Sequence, residues 1–254
     1  MIEYLILGVL QGITEWLPIS SQGMTILVSQ AFGFELSRAL DLSIWLHSGT
    51  LLAAIVYFRR DLLSILKLEK RELLSFLILS TIITAIIGGP LYLGFSESME
   101  GFPGEIVIGA IGALLIVTGI IQRYAKPKER AVENAGKKDA VIVGLAQGFS
   151  ALPGISRSGI TTSALLFSGF TSNAALKLSF LMSIFAVAAA EVGLQLRGGF
   201  TVGSGEFLAL LASFGAGILT ISLLLKLASR IKFWAFCILI GVLSLVSLSF
   251  YLVT

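Results

Sequence analysis

Two stretches of the sequence share one pattern: Gln11-Gly-Ile-Thr-Glu-Trp-Leu-Pro-Ile-Ser-Ser-Gln-Gly-Met-Thr25 and Gln147-Gly-Phe-Ser-Ala-Leu-Pro-Gly-Ile-Ser-Arg-Ser-Gly-Ile-Thr161. Both begin with Gln-Gly, turn through a proline and end in Ile-Ser-x-x-Gly-x-Thr. Each interrupts a strongly apolar region with hydroxyl groups, and together they carry the opposite charges of Glu15 and Arg157. In a membrane-embedded chain, matched polar breaks in two halves indicate a binding site at the interface of a structural repeat.

The composition is typical of a membrane protein. Hydrophobic residues make up 56% of the sequence and charged residues only 13%, and the mean hydropathy is +0.95. A soluble domain has about 25% charged residues to cover its surface. We therefore predict an all-α integral membrane protein. A net charge of +3 gives no support for a nucleic-acid partner, and the single cysteine, Cys237, excludes a disulfide within one chain.

Six apolar runs are long enough to cross a bilayer, which takes about 20 residues; they cover residues 39–58, 73–95, 106–121, 174–195, 207–227 and 233–253. Two further apolar regions, 1–34 and 140–170, are each divided by a polar turn into two short arms. We predict that each forms a re-entrant helix hairpin, because irregular backbone is tolerated in a bilayer only where protein or a watery cavity satisfies it.

Most of the 18 lysine and arginine residues lie in the loops after the first, third and fifth spans: Arg59, Arg60, Lys67, Lys70, Arg71, Arg123, Lys126, Lys128, Arg130, Lys137, Lys138, Lys226, Arg230 and Lys232. The loop after the fourth span has only Arg197. Because cytoplasmic loops carry the basic excess, the first hairpin enters from outside and the second from inside. This predicts a single membrane domain, 1–254, with inverted repeats at 1–122 and 140–254 and a basic cytoplasmic loop at 123–139.

Hairpins that enter from opposite faces bring their tips together near the midplane; the tips carry Gln11, Thr14, Glu15, Ser20, Ser21, Ser150, Ser156, Arg157, Ser158 and Thr161. The guanidinium of Arg157 suits phosphate oxygens, and the segment after Pro153-Gly154 is typical of a helix start, which favours an anion. These residues predict a phosphate or carboxylate site inside a membrane. The alternative is that Arg157 only pairs with Glu15 and holds the hairpins together.

The second motif, Pro153-Gly-Ile-Ser-Arg-Ser-Gly-Ile-Thr161, resembles the PGxSRSxxT signature of undecaprenyl-pyrophosphate phosphatases, the bacitracin-resistance family. The first motif is similar to that family's (E/Q)xxxE pattern, with Gln11 at its first position. Similarity extends over the whole chain, including Leu46-His-Ser-Gly-Thr-Leu-Leu52 and Leu178-Ser-Phe-Leu181. The resemblance implies six spans with two re-entrant helix pairs in inverted halves.

The sequence departs from the family pattern at three positions. Met24 stands where the family usually has a histidine that is one of its proposed catalytic groups, Gln11 is the uncharged variant, and Phe185 replaces a frequent proline. His47 is the sole histidine. We expect it to be a hydrogen-bonded side chain inside a span and not a substitute for the missing one.

The resemblance implies hydrolysis of a polyprenyl diphosphate to the monophosphate and phosphate, which recycles a lipid carrier. Arg157 would bind the diphosphate with Gln11, Ser20, Ser156, Ser158 and Thr161. Glu15 would act as a base or hold a divalent cation, Mg²⁺ or Ca²⁺. Ser21 would be the nucleophile or would orient an attacking water. Such chemistry needs charge neutralisation, an in-line nucleophile and proton management.

Transport is the competing hypothesis, because inverted repeats with broken helices also occur in secondary transporters. The chain would then move a lipid phosphate or a phosphorylated solute with little or no hydrolysis. A catalytically inactive relative is a third interpretation. We further expect location in the plasma membrane, a site open to the outer face, and a homodimer as one oligomeric form.

Overall fold

This computed structural model describes residues 1–99, 102–196, 201–228 and 232–253. Its regular elements in these ranges are helices, with one isolated parallel bridge between Arg130 and Phe170. In chain order they are α1 (Ile2–Thr14), α2 (Ser21–Ala31), α3 (Leu36–Tyr57), α4 (Arg59–Leu66), α5 (Arg71–Met99), α6 (Gly104–Tyr124), a 3₁₀ turn (Val132–Asn134), α7 (Lys137–Phe149), α8 (Arg157–Phe167), α9 (Ser172–Leu196), α10 (Ser204–Ala228) and α11 (Phe233–Val253).

Within the described residues, α3, α5, α6, α9, α10 and α11 are long and apolar enough to cross a membrane. The six predicted spans are therefore confirmed, and the chain is a multi-pass helical membrane protein. Several helices start two or three residues earlier than predicted, as at Leu36 and Arg71, because polar residues of a first turn belong to a helix but not to its apolar run. Arg197 and Arg230 of the charge analysis lie outside the described residues.

The two polar motifs connect pairs of short helices, α1 with α2 and α7 with α8. The first helix of each pair extends further into its polar motif than the apolar arm predicted from the sequence. Gln11 lies in the last turn of α1 and Gln147 in the last turn of α7, because glutamine is a good helix former. The irregular segments are therefore short, residues 15–20 and 150–156.

Each short pair packs against a span from the other half of the chain: α1 lies along α10, and α7 lies along α5. The α1 contact depends on Gly12, where an added Cβ would lie 2.6 Å from the Ser213 carbonyl oxygen and 2.7 Å from the Ala216 Cβ. Small residues allow membrane helices to approach this closely. The helix pairs are thus fixed by the spans that surround them.

The irregular turn of the first motif has its carbonyl groups satisfied by other helices. The Pro18 carbonyl accepts hydrogen bonds from Gln122 Nε2 at 2.6 Å and from Cys237 Sγ at 3.3 Å. The Leu17 carbonyl accepts one from Ser158 Oγ at 3.0 Å. Since an unsatisfied carbonyl costs several kcal/mol, of the order of 2–7, in an apolar medium, these donors allow a break in the helix inside a membrane protein.

Candidate active site

The starts of α2 and α8 meet at one place, and their first residues are Ser21 and Arg157, which occupy equivalent positions in the two motifs. Each helix is capped by the preceding serine. Ser20 Oγ accepts a hydrogen bond from the Gly23 N–H, and Ser156 Oγ accepts one from the Gly159 N–H. Serine is a favoured N-cap because its oxygen satisfies a free backbone donor. The repeated Ile-Ser-x-x-Gly pattern therefore creates two matched helix N-termini.

Glu15 lies between these two helix starts and is 5% exposed. It forms an ion pair with Arg157. Its Oε2 atom accepts hydrogen bonds from Ser21 Oγ at 2.6 Å and from Gln11 Nε2 at 3.1 Å. A carboxylate at the C-terminal end of α1 opposes that helix dipole, but the positive ends of α2 and α8 favour it. The ion pair between Glu15 and Arg157 that the alternative interpretation predicted is formed. The Ser21 hydroxyl group donates to the same carboxylate.

Arg157 is held by α9 as well as by Glu15. Its guanidinium lies over the Phe180 ring, 5.3 Å from the centroid, and Nη1 donates to the Ser179 carbonyl at 3.4 Å. A cation above an aromatic face is attracted by the ring and keeps its edge available to other partners. The guanidinium group of Arg157 is therefore oriented while some of its N–H donors stay available to a ligand.

A cavity of about 460 Å³ adjoins these groups. Its polar end is lined by Glu15, Ser20, Ser21, His47, Ser156, Arg157 and Ser158. The rest is mostly apolar and runs between α5 and α9, past Ala85, Gly89, Leu93, Ala186, Val187 and Ala190. A cavity of this size with a few convergent polar groups is typical of a ligand site.

His47 belongs to this site, although the sequence analysis did not place it there. Its Nδ1 atom is 2.6 Å from the Ser43 carbonyl, so the expected hydrogen bond inside α3 is present. Its Nε2 atom lies 3.2 Å from Glu15 Oε2 and 3.5 Å from Ser21 Oγ. The spacing of the two motifs could not have revealed this, because α3 lies outside both. The available signals were a single histidine in an apolar span and its position in the family-like stretch Leu46-His-Ser-Gly-Thr-Leu-Leu52. Met24 does not line the cavity.

Two of the predicted substrate-binding residues lie behind the cavity wall. Gln11 is fully buried and joins Glu15 to Thr25, whose Oγ1 donates to Gln11 Oε1 at 3.2 Å. Thr161 is also fully buried, with Oγ1 2.7 Å from the Arg157 carbonyl and 2.6 Å from Ser179 Oγ. These positions suit side chains that support Glu15 and Arg157 and do not touch a ligand.

The donor set does not fit a preformed metal site. Among the described residues, no three histidine, cysteine, aspartate or glutamate side chains gather as a group that could hold a metal ion. Both oxygens of Glu15 already face donors from Arg157, Ser21 and Gln11. The divalent cation implied by the family resemblance stays a prediction.

Comparison with known proteins identifies the family of this chain. The family model described as "Bacitracin resistance protein BacA" matches residues 4–246. A protein of Methanococcoides burtonii named undecaprenyl-diphosphatase is 46% identical over 97% of both chains. Proteins with the same name from Methanothrix thermoacetophila and Haloarcula marismortui are 40% and 36% identical, over 96% and 95% of this chain and 95% of each relative. The chain therefore belongs to the bacitracin resistance protein BacA family, as its two polar motifs predicted.

Proposed function

We propose that this chain is a membrane phosphatase that hydrolyses an undecaprenyl-like polyprenyl diphosphate to the monophosphate and inorganic phosphate. The observation that carries the proposal is the meeting of Arg157, Glu15 and Ser21 at the polar end of a mostly apolar cavity. Membership of a family whose relatives are named undecaprenyl-diphosphatase supports the same activity.

Arg157 and the first turn of α8 bind the diphosphate. The guanidinium presents paired N–H donors, and the helix start adds backbone N–H groups and a positive dipole end. In the free protein Glu15 occupies part of this site as a built-in anion. The incoming phosphate oxygens take over donors of Arg157, and the two helix starts hold them in line with Ser21.

Ser21 is the nucleophile and Glu15 its base. The 2.6 Å hydrogen bond from Ser21 Oγ to Glu15 Oε2 is within the range that a general base needs for proton abstraction. As Ser21 Oγ bonds to the terminal phosphorus, the bridging P–O bond breaks and the lipid monophosphate leaves with the electron pair. Water then releases inorganic phosphate from the serine.

The apolar part of the cavity holds the start of the polyprenyl tail. Its α5 and α9 walls include the small residues Ala85, Gly89, Ala186, Val187 and Ala190. Burying tail carbons there is favourable by about 25 cal/mol per Å² of apolar surface. The site thus recognises the diphosphate by charge and the tail by apolarity.

We further propose that the two helix pairs are re-entrant hairpins of inverted repeats, 1–122 and 140–254, in the plasma membrane. The crossed packing of α1 on α10 and α7 on α5, and the equivalent positions of Ser21 and Arg157, support this. Because the first hairpin would enter from outside, we propose that the site opens to the outer face, where spent lipid diphosphate forms. A homodimer remains a prediction. A requirement for Mg²⁺ or Ca²⁺ also remains a prediction, and measuring activity after chelation of divalent cations tests it.

The test is release of inorganic phosphate from a long-chain polyprenyl diphosphate by the detergent-purified protein. We expect release in proportion to protein, and a loss of about 10²–10³-fold in Arg157→Ala. Arg157→Lys is the matched control, because it keeps the charge opposite Glu15 but lacks the fork; it should melt like the wild type and recover only part of the activity. No release by folded wild-type protein would reject the proposal and support a carrier.

A further inference from the structure

The two ring nitrogens of His47 have different surroundings. Nδ1 is held by a backbone carbonyl group of its own helix, and Nε2 faces Glu15 and Ser21. The Ser43 carbonyl can only accept a hydrogen bond, so Nδ1, at 2.6 Å, must carry a hydrogen and donate it. Ser43 precedes His47 by four residues in α3, so this hydrogen bond orients the ring from within its own helix. Nε2 therefore points to Glu15 and Ser21 with little freedom to turn away.

Counting protons shows what Nε2 carries. Ser21 has one hydroxyl hydrogen, and it is donated to Glu15 Oε2 at 2.6 Å. Nε2 is 3.2 Å from the same oxygen. Two bare acceptors would repel each other at that distance, so a further hydrogen must lie between them. Because Arg157, Gln11 and Ser21 all donate to Glu15, that carboxyl fits the ionised form, and the hydrogen belongs to Nε2.

A second carboxyl group supports this assignment. Glu191 on α9 lies close enough to His47 to interact with it electrostatically. The Glu191 Oε1 atom is buried and has no hydrogen-bond partner within the described residues. The imidazole ring thus has a second acidic side chain nearby besides Glu15, and this surrounding is compatible with a ring that donates from both nitrogens.

We propose that His47 is a further catalytic residue, a donor that changes its partner during phosphoryl transfer. This inference rests on the proposed phosphatase function. At rest, Nε2–H donates to Glu15. When Glu15 takes the Ser21 proton, its oxygen ceases to be a strong acceptor, and the Nε2 hydrogen becomes available. Nε2 is 3.5 Å from Ser21 Oγ, so an oxygen of the phosphoryl group joined to Oγ comes within its reach.

The two steps balance without any other reactant than water. In the first, the Oγ–P bond forms, the bridging P–O bond breaks, and the Ser21 proton moves to Glu15. In the second, water bonds to phosphorus and keeps its hydrogens on the departing phosphate, while Oγ leaves and recovers the proton from Glu15. His47 gains and loses no proton. It contributes a hydrogen bond that is present in the transition state and absent from the bound substrate, which raises kcat.

The test compares Phe, Asn and Gln at position 47 by phosphate release from a polyprenyl diphosphate. His47→Phe removes both donors, and His47→Asn keeps a donor for Ser43 but is too short to reach the site. Both should lower kcat by about 10²-fold with KM changed less than about threefold. His47→Gln carries an N–H near the Nε2 position, so we expect it to retain activity within about tenfold of wild type.

Inhibition provides a second readout that a purely structural role would not produce. Orthovanadate mimics the five-coordinate transition state, whereas inorganic phosphate mimics the product. The vanadate inhibition constant should rise in His47→Asn by a factor similar to the kcat loss, and the phosphate constant should stay within about threefold. Wild-type kcat in His47→Phe, or equal weakening of both inhibitors, would overturn the inference. Absence of phosphate release by the wild type would instead reject the phosphatase function itself.

Discussion

At the scale of single residues, the site is built from opposite charges that neither motif could bury alone. A guanidinium or a carboxylate inside a membrane protein is expensive unless it meets a partner. Glu15 and Arg157 satisfy each other in the free protein, with Ser21 and Gln11 completing the shell of Glu15. The cluster is therefore preformed, and in the proposed mechanism the substrate replaces contacts that already exist.

Replacing Ser21 with alanine should lower kcat by about 10³-fold or more, because the proposed nucleophile and its hydrogen bond to Glu15 are both lost. Rapid quenching with substrate labelled in the terminal phosphate should trap label on wild-type protein and none on Ser21→Ala. Ser158→Ala is a control on the other helix start, since its Oγ donates to the Leu17 carbonyl and not to Glu15. A loss below tenfold for Ser21→Ala would show that water attacks directly.

At the scale of helices, the short pairs are positioned by what surrounds them. Gly12 lets α1 lie against α10, and donors from α6, α8 and α11 satisfy the turn between α1 and α2. The start of α7 is fastened differently, by Asp139. Its Oδ1 and Oδ2 accept from Arg130 at 2.9 Å and 2.7 Å, and Oδ2 accepts the Gly136 N–H at 3.0 Å. This fork ties the preceding loop to the first turn of the helix.

The ion pair of Asp139 should make the stability of the folded protein fall in acid. Burial raises the pKa of this carboxyl, but the hydrogen bonds from Arg130 and Gly136 outweigh it, so the pKa lies below the ordinary 3.8. A lowered folded-state pKa gives stability that is complete above the unfolded value and is lost as pH falls through the folded one. We expect Asp139→Asn to lower the melting temperature by about 2–8 °C near neutral pH.

The measurement is thermal unfolding in detergent at neutral pH and again at an acid pH below the ordinary 3.8 of an aspartate, where the stability that depends on the carboxylate is being lost. The difference between wild type and Asp139→Asn should shrink in acid. Lys70→Gln is a control, since its contact with Asp61 is an exposed pair, which is worth about 0–1 kcal/mol. If the melting temperatures of wild type and Asp139→Asn differ by the same amount at both pH values, the role of the ion pair is contradicted.

At the scale of the whole molecule, the proposed orientation rests on the basic loops. It can be tested because the single cysteine, Cys237, is fully buried and should contribute little background labelling. Glu35 before α3 and Lys128 after α6 are both exposed. The inverted arrangement places the first outside and the second in the cytoplasm.

In intact cells, a membrane-impermeant maleimide should label Glu35→Cys and leave Lys128→Cys unlabelled. After permeabilisation both should react to a similar extent, which controls for local accessibility. Labelling of Lys128→Cys in intact cells, with protection of Glu35→Cys, would reverse the orientation. Equal labelling of both before permeabilisation would contradict an odd number of crossings between them.

The sequence by itself determined the six spans, the two polar breaks and the pair Glu15 and Arg157. These follow from local rules, because span length, proline and serine at a helix start, and the cost of a buried charge are all visible along the chain. Only the tertiary structure decided that Gln11 and Thr161 lie behind the cavity and that His47 lies within it. The physical reason is that packing between distant helices brings His47 of α3 to the site, and neither periodicity nor a family-like stretch around a residue says which distant residues it contacts.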